Sequence, residues 1–276
     1  MNEIKNVAKN INVEFEVKES YERITPELSS EWFNESEGEL NLEDGIDCHK
    51  CKNKGKISYV KNNFELIKDC ECMKARKTYS RLINCGITKE TLKRYSFQNW
   101  VATEEWQNAL LEKCRNFFKA YLDGKHYWFI LSGQSGSGKT HICTSLFQEM
   151  IKGLFLNGSF MMWNDEVPKL LSLRKSSYTD NQEKYEKIMN QYKDCDILYI
   201  DDLFKLDNRY KEDSLSLCFE ILNYRYINDK TTIISTEIER NQFENIDVAI
   251  WGRCFEKADR GEYWLTLIGK DKNYRK

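Results

Sequence analysis

Apolar positions along the chain change their period several times, and each change marks an element. The run HYWFILSG, residues 126–133, is continuously apolar and aromatic, the pattern of a strand buried on both faces. THICTSLFQEMIKGL follows with helical spacing and ends near Gly153. GSFMMWN reads as the next strand. From Asp165 to about Tyr192 the spacing predicts one helix, with Pro168 accommodated in its first turn. DILYIDDL is a core strand that ends in two carboxylates, KEDSLSLCFEILNYRYIND an amphipathic helix and TTIISTE a further strand. Strands alternating with helices from about residue 78 onward predict an α/β fold with a parallel sheet. Upstream, GKISYVKNNFELIK has the look of a β-hairpin with KNN at its tip.

Composition narrows the class. With 41% hydrophobic and 31% charged residues, the chain fits a soluble globular protein, and two prolines leave little room for low-complexity linkers. No apolar run reaches the roughly 18 residues a membrane span needs, and no secretory signal opens the sequence; a cytoplasmic location without membrane contact is expected. The net charge of −2 conceals an asymmetry. Residues 1–47 carry 4 basic and 13 acidic side chains, whereas residues 48–100 carry 13 basic and 4 acidic ones. Such a basic segment suits a phosphate backbone or an acidic protein surface, or is a solvated lysine-rich face. Three segments follow: an acidic 1–47, helical or partly disordered; 48–95, which holds the clustered cysteines and the basic residues; and 96–276, which holds the alternating strands and helices.

Gly133-Gln134-Ser135-Gly136-Ser137-Gly138-Lys139-Thr140 satisfies G-x-x-x-x-G-K-[ST], between a predicted strand and a predicted helix. Its glycines let successive N–H groups point at phosphate oxygens, and the helix adds its positive end. Lys139 is expected to reach the β- and γ-phosphates of ATP, Thr140 to ligate Mg²⁺, and His141, next in the chain, to belong to the nucleotide-binding set. About 60 residues on, Asp201 ends an apolar strand and should sit near the Mg²⁺. Asp202 is placed to orient the attacking water, or merely caps the strand end.

Ten cysteines without a secretory signal favour metal binding or burial over disulfides. Cys48 and Cys51 form C-x2-C; an 18-residue spacer leads to Cys70 and Cys72. Four thiolates suit a closed, structural tetrahedral Zn²⁺ site, with His49 a minor alternative ligand. Cys85, Cys114, Cys143, Cys195, Cys218 and Cys254 are scattered and read as small buried hydrophobes.

The cysteine cluster, then INCGITKETLKRYSFQNW, then the P-loop core together resemble the DnaC/DnaI-like replicative helicase loaders, AAA+ ATPases of bacteria and their phages. The resemblance covers about residues 48–276. It implies a P-loop AAA+ core behind a small zinc-binding domain that docks on a hexameric replicative helicase. It also implies ATP hydrolysis coupled to self-association, single-stranded DNA binding and a role in replication initiation. STE, residues 235–237, falls at sensor 1, where Glu237 replaces the usual Asn; either Thr236 meets the γ-phosphate, or Glu237 holds the attacking water, or turnover is weak. AIWGRCFEK resembles the arginine-finger segment and assigns Arg253 to a neighbouring subunit's nucleotide. Arg275 falls where sensor 2 lies, and Arg225 is attributed to packing. Single-stranded DNA contact is implied for residues 165–187, with Lys169, Arg174, Lys175 and Tyr178 as candidates. Two other readings are an adaptor that binds ATP with little hydrolysis and a transposition-helper ATPase.

Overall fold

The computed structural model describes residues 24–84, 89–205 and 211–274. Its first helix, α1 (Pro26–Glu35), begins at an N-cap, Thr25, whose hydroxyl accepts from the Leu28 N–H, with Pro26 in the first turn. A short α2 (Leu40–Asp44) precedes the cysteine loop. Strands β1 (Lys56–Lys61) and β2 (Phe64–Asp69) pair antiparallel around Asn62-Asn63. Both asparagines have φ above +50°, the conformation of a two-residue type I′ turn, so the expected hairpin is present. Asn34 of α1 bonds both the N–H and the C=O of Ser58, which covers the outer edge of β1. Residues 1–23, half of the acidic segment, lie outside the described part; residues 24–47 carry the two helices.

Helix α3 (Cys72–Asn84) leaves the last cysteine and docks on the larger part of the chain. Its Thr78 hydroxyl accepts from the Gly158 N–H at 3.0 Å, and Ala75 and Tyr79 join the main apolar core. After α4 (Lys89–Arg94), α5 (Glu105–Leu122) opens with a capping box between Glu104 and Gln107. Then come β3 (Trp128–Gly133), α6 (Lys139–Leu154), β4 (Gly158–Met162), α7 (Trp163–Arg174), α8 (Thr179–Asp194), β5 (Ile197–Asp201) and α9 (Lys211–Ile227). The chain continues through β6 (Thr231–Thr236), α10 (Arg240–Phe243), α11 (Val248–Lys257) and β7 (Trp264–Leu267).

Five strands form one parallel sheet in the order β4-β5-β6-β3-β7. Every residue of β3, β5 and β6 is buried, as strands covered on both faces by helices must be. This is the α/β, P-loop AAA+ fold expected. Because all strands point the same way, their carboxyl ends meet at one edge, where ligands of open α/β sheets bind. The order places β6 between β3 and β5, so the end of β6 lies between the glycine loop and Asp201.

Two boundaries differ from expectation. Residues 165–192 are not one helix: α7 begins earlier, at Trp163, which ends the strand at Met162, and a break at residues 175–178 separates α8. Ser176 causes the break locally, since its hydroxyl accepts from the Tyr178 N–H and the Asn181 amide. Pro168 consequently sits inside α7, not in its first turn.

Arg225 is packed as expected, and more completely than its charge suggests. It is fully buried; its guanidinium donates to Thr232 Oγ1 (3.0 Å), to the carbonyls of Tyr192, Lys193 and Cys195 (2.9–3.1 Å), and to Thr231 O. The carbonyls at the end of α8 have no intrahelical donors, and Arg225 supplies them. Arg225→Met should therefore cost about 3–5 kcal/mol of stability, several buried acceptors being orphaned at once. Chemical denaturation checks this, and a loss under ~1 kcal/mol would contradict it.

Candidate nucleotide site and metal centre

The glycine loop joins β3 to α6. Gly133 (φ +131°) lies so close to β7 that a Cβ would fall 2.2 Å from Leu267 O. Gly138 (φ +85°) caps α6 in the left-handed region, and a Cβ there would meet the Trp100 ring at 2.8 Å. Only glycine fits either place. The Gln134 side chain grips Gly269, donating to its carbonyl at 3.0 Å and accepting from its N–H at 3.1 Å. Ser137 closes the loop by donating to Gln134 O.

Lys139 Nζ donates to Gly133 O (2.9 Å) and Gln134 O (2.8 Å), so it lies along the inside of the loop. Burial lowers its pKa, and Glu237 and Asp202 partly offset that. Thr140 Oγ1 is 3.3 Å from Asp201 Oδ1, which brings the two expected magnesium ligands together. Asp201 is buried at the end of β5, and burial pushes its carboxyl up. Ser235 and Tyr199 hydroxyls, each 2.5 Å from Oδ1, favour the carboxylate. Asp202 bends the chain with φ +56°, and its N–H donates to Ser235 Oγ.

A cavity of about 430 Å³ opens over this loop. Of the expected residues it is lined by Ser135, Gly136, Gly138, Lys139, Thr140, His141, Asp202 and Glu237. Gly133, Gln134, Ser137 and Asp201 stand behind that lining. Arg253 does not line it: its Nε donates to Asn223 Oδ1 at 2.9 Å, and its guanidinium lies over the Phe219 and Tyr226 rings. Arg275 lies outside the described residues. The candidate DNA side chains divide between α7 and the loop after it; Lys169 pairs with Glu166, Lys175 with Asp213, and Tyr178 is exposed.

The cavity also uses residues that the sequence pattern alone does not single out. Tyr274 donates its N–H to Gly136 O at 2.8 Å and stacks on Trp100, centroids 4.1 Å apart and 4° from parallel. His141 meets both rings edge-on and bonds Ser96 O, so it braces this strap while lining the cavity. Arg94, Tyr95 and Asn99 line the same side. Lys205 lines the other, donating to Glu237 Oε1 (2.9 Å) and Asp202 Oδ2 (3.2 Å). Its one visible sign in the sequence is position, three residues after Asp202.

The second centre is the cysteine cluster. Sγ atoms of Cys48, Cys51, Cys70 and Cys72 are buried and all within 4.8 Å of one another. Cys48 to Cys70 is 3.8 Å and Cys51 to Cys72 is 3.6 Å. A tetrahedron with Zn–S of about 2.3 Å has edges of about 3.8 Å, so the donors fit zinc. His49 is 95% exposed near Asp47 and is not among them. The Gly55 N–H donates to Cys51 Sγ, and this bond, with the neighbouring thiols, lowers the Cys51 pKa against the opposing effect of burial. Burial pushes the Cys70 and Cys72 thiols up. Behind the cluster Arg76 is buried, chelating Asp44 at 2.7 and 2.8 Å and bonding Ile46 O. Cys114, Cys143, Cys195, Cys218 and Cys254 are buried and free, as expected, while Cys85 lies outside the described residues.

The family profile of the bacterial DnaA ATPase domain matches residues 92–256. The chain belongs to this family. Among relatives of the DnaA-type ATPase, the phage-like element PBSX protein XkdC of Bacillus subtilis (strain 168) is 28% identical over 235 residues, covering 81% of this chain and 83% of XkdC. The replicative helicase loader DnaC of Escherichia coli (strain K12) is 26% identical over 148 residues, covering 53% of this chain and 56% of DnaC. The chain thus spans little more than half of that relative's length. The crystal structure of DnaI aligns at TM-score 0.50 with 19% identity, over 68% of this chain and 94% of that one, and it shares the fold. Family and fold agree with the resemblance to the DnaC/DnaI-like AAA+ proteins. No helix among the described residues is long and apolar enough to cross a membrane.

Proposed function

We propose that the protein is an ATP-dependent loader of a hexameric replicative helicase onto single-stranded DNA during replication initiation. The observation that carries this reading is the convergence of Lys139, Thr140 and Asp201 at one sheet edge of a DnaA-type ATPase domain. ATP would lie along the loop, with its phosphates on the N–H groups of residues 133–140 and on Lys139. Thr140 and Asp201 would hold Mg²⁺, which neutralises phosphate charge when bound. Asp202 would orient the attacking water, a role supported by its place with Glu237 in the cavity lining; Arg253 would act on a neighbouring subunit's nucleotide once released from Asn223. Arg275 would act on the phosphates as the sensor 2 arginine. The zinc-binding segment 48–95 would dock on the helicase, and residues 96–276 would hydrolyse ATP.

The relative named as a replicative helicase loader supports the partner. A second reading, an adaptor that binds ATP with little hydrolysis, is favoured by one feature, the ion pairing of both Asp202 and Glu237 with Lys205. The test measures ATP turnover of the full chain alone, with single-stranded DNA, with a hexameric replicative helicase, and with both. A loader should show turnover that changes several-fold with its partners and should transfer the helicase onto a closed single-stranded circle. A flat, near-zero rate in all mixtures would assign the adaptor role instead.

A further inference from the structure

The three carboxylates at the sheet edge set a problem for any triphosphate there. Asp201 faces Thr140, Ser235 and Tyr199, but Asp202 and Glu237 line the cavity itself, beside Lys139. Glu237 occupies the position where a neutral asparagine is expected, and it adds a negative charge where a γ-phosphate would add more. Lys205 answers that charge. The turn that presents it is fixed on both sides. The Leu203 N–H donates to Ser235 O and its carbonyl accepts from Thr236 Oγ1. Phe204, at φ +64°, packs its ring against Trp163 and Phe243. Asp202 and Phe204 both take the left-handed conformation, which is unfavourable for a non-glycine residue and persists only where the surroundings hold it. The result is that the ends of Asp202 and Lys205 project into one cavity.

Magnitudes decide what such a lysine does. The side chains are 43% (Lys205), 27% (Asp202) and 35% (Glu237) exposed, so each ion pair is worth no more than roughly fivefold in population. Charge-assisted bonds to a phosphate are worth about tenfold or more. Lys205 holds two such pairs, together worth up to roughly 25-fold, so a terminal phosphate takes it from its present partners by offering two oxygens, two charge-assisted bonds together being worth about a hundredfold or more. Resting on the nucleotide-site reading above, we infer that Lys205 is the γ-phosphate-sensing cation of this site, held in reserve by Asp202 and Glu237. Its transfer to the phosphate frees Asp202 to orient water, so a triphosphate unlocks the group that attacks it and a diphosphate does not. The glutamate at sensor 1 is then the holder of the sensing lysine, and charge is conserved relative to a neutral residue there.

The experiment is calorimetric binding of Mg²⁺-ADP and of a non-hydrolysable Mg²⁺-ATP analogue to the full chain and its variants. Lys205→Met should lower the affinity ratio of triphosphate to diphosphate about tenfold or more, with diphosphate affinity changed less than about twofold. Lys205→Arg should retain the ratio. A second comparison separates contact with phosphate from mere neutralisation of Glu237. In an Asp202→Asn/Glu237→Gln background no carboxylate remains for Lys205 to neutralise, and Lys205→Met should still lower the ratio about tenfold. An unchanged ratio in that background would overturn the inference, as would an unchanged ratio in the single variant. Failure of the nucleotide site itself looks different: the unaltered protein would bind neither nucleotide, or Lys139→Ala would leave both affinities intact.

Discussion

Lys139→Ala should abolish measurable ATP turnover and weaken triphosphate binding by a factor on the order of 10²–10⁴, the value of two charge-assisted bonds to phosphate. The ammonium now satisfies Gly133 O and Gln134 O from a buried position, with a pKa lowered first by burial. That placement costs free energy in the absence of a ligand and is recovered when phosphate replaces the carbonyls. Removal should therefore change stability little, by about 1–2 kcal/mol in either direction, so lost binding cannot be attributed to unfolding. Isothermal titration beside a thermal melt is the check. Unaltered turnover and affinity in a folded variant would remove the phosphate site, and with it the roles assigned to Thr140 and Asp201.

What could be read from the sequence, and what could not, divides by range. The glycine loop, the apolar strand ending at Asp201, the Asn62-Asn63 hairpin and the paired cysteines are local patterns, each set by neighbours within a few residues. Their chemistry follows from spacing. The break after α7 is also local, but Ser176 acts through a side chain that competes with the helix, which apolar periodicity does not register. Lys205, Tyr274 and His141 depend on contacts across the fold. Lys205 meets Glu237, 32 residues away, only because β6 lies between β3 and β5. Tyr274 reaches Trp100 only because β7 returns beside β3. His141 follows the P-loop motif directly and looks like part of it, yet its ring turns to Ser96, Trp100 and Tyr274. A charged residue such as Arg225 is ambiguous for the same reason, since its acceptors come from the end of α8, from Cys195 just after it and from β6.

Removal of the metal from the cysteine cluster should have the largest effect on structure, and it should be confined to one part of the chain. The protein as purified is expected to carry about one zinc per chain. Cys48, Cys51, Cys70 and Cys72 form an apolar cluster of their own, separate from the main core, with Ile57 and Phe155 packed beside it. Around them β1 and β2 make a two-stranded sheet, which alone is marginal in water. Structural zinc contributes about 10–16 kcal/mol in small peptide modules, so little else can hold this one together. A strong chelator, or Cys72→Ser, should release the zinc and open residues from Pro26 to Asp69 to protease. Arg76 would lose the cluster beside it together with Asp44 and Ile46 O, which belong to the opened segment. The sheet of β3 to β7 rests on its own buried strands and on Arg225, so nucleotide affinity should persist within about threefold of the untreated protein, a change under 1 kcal/mol. Metal analysis and limited proteolysis, read beside nucleotide titration, test both halves. Purified protein without zinc, or a hairpin equally resistant to protease after chelation, would show that the four thiols are only packed together.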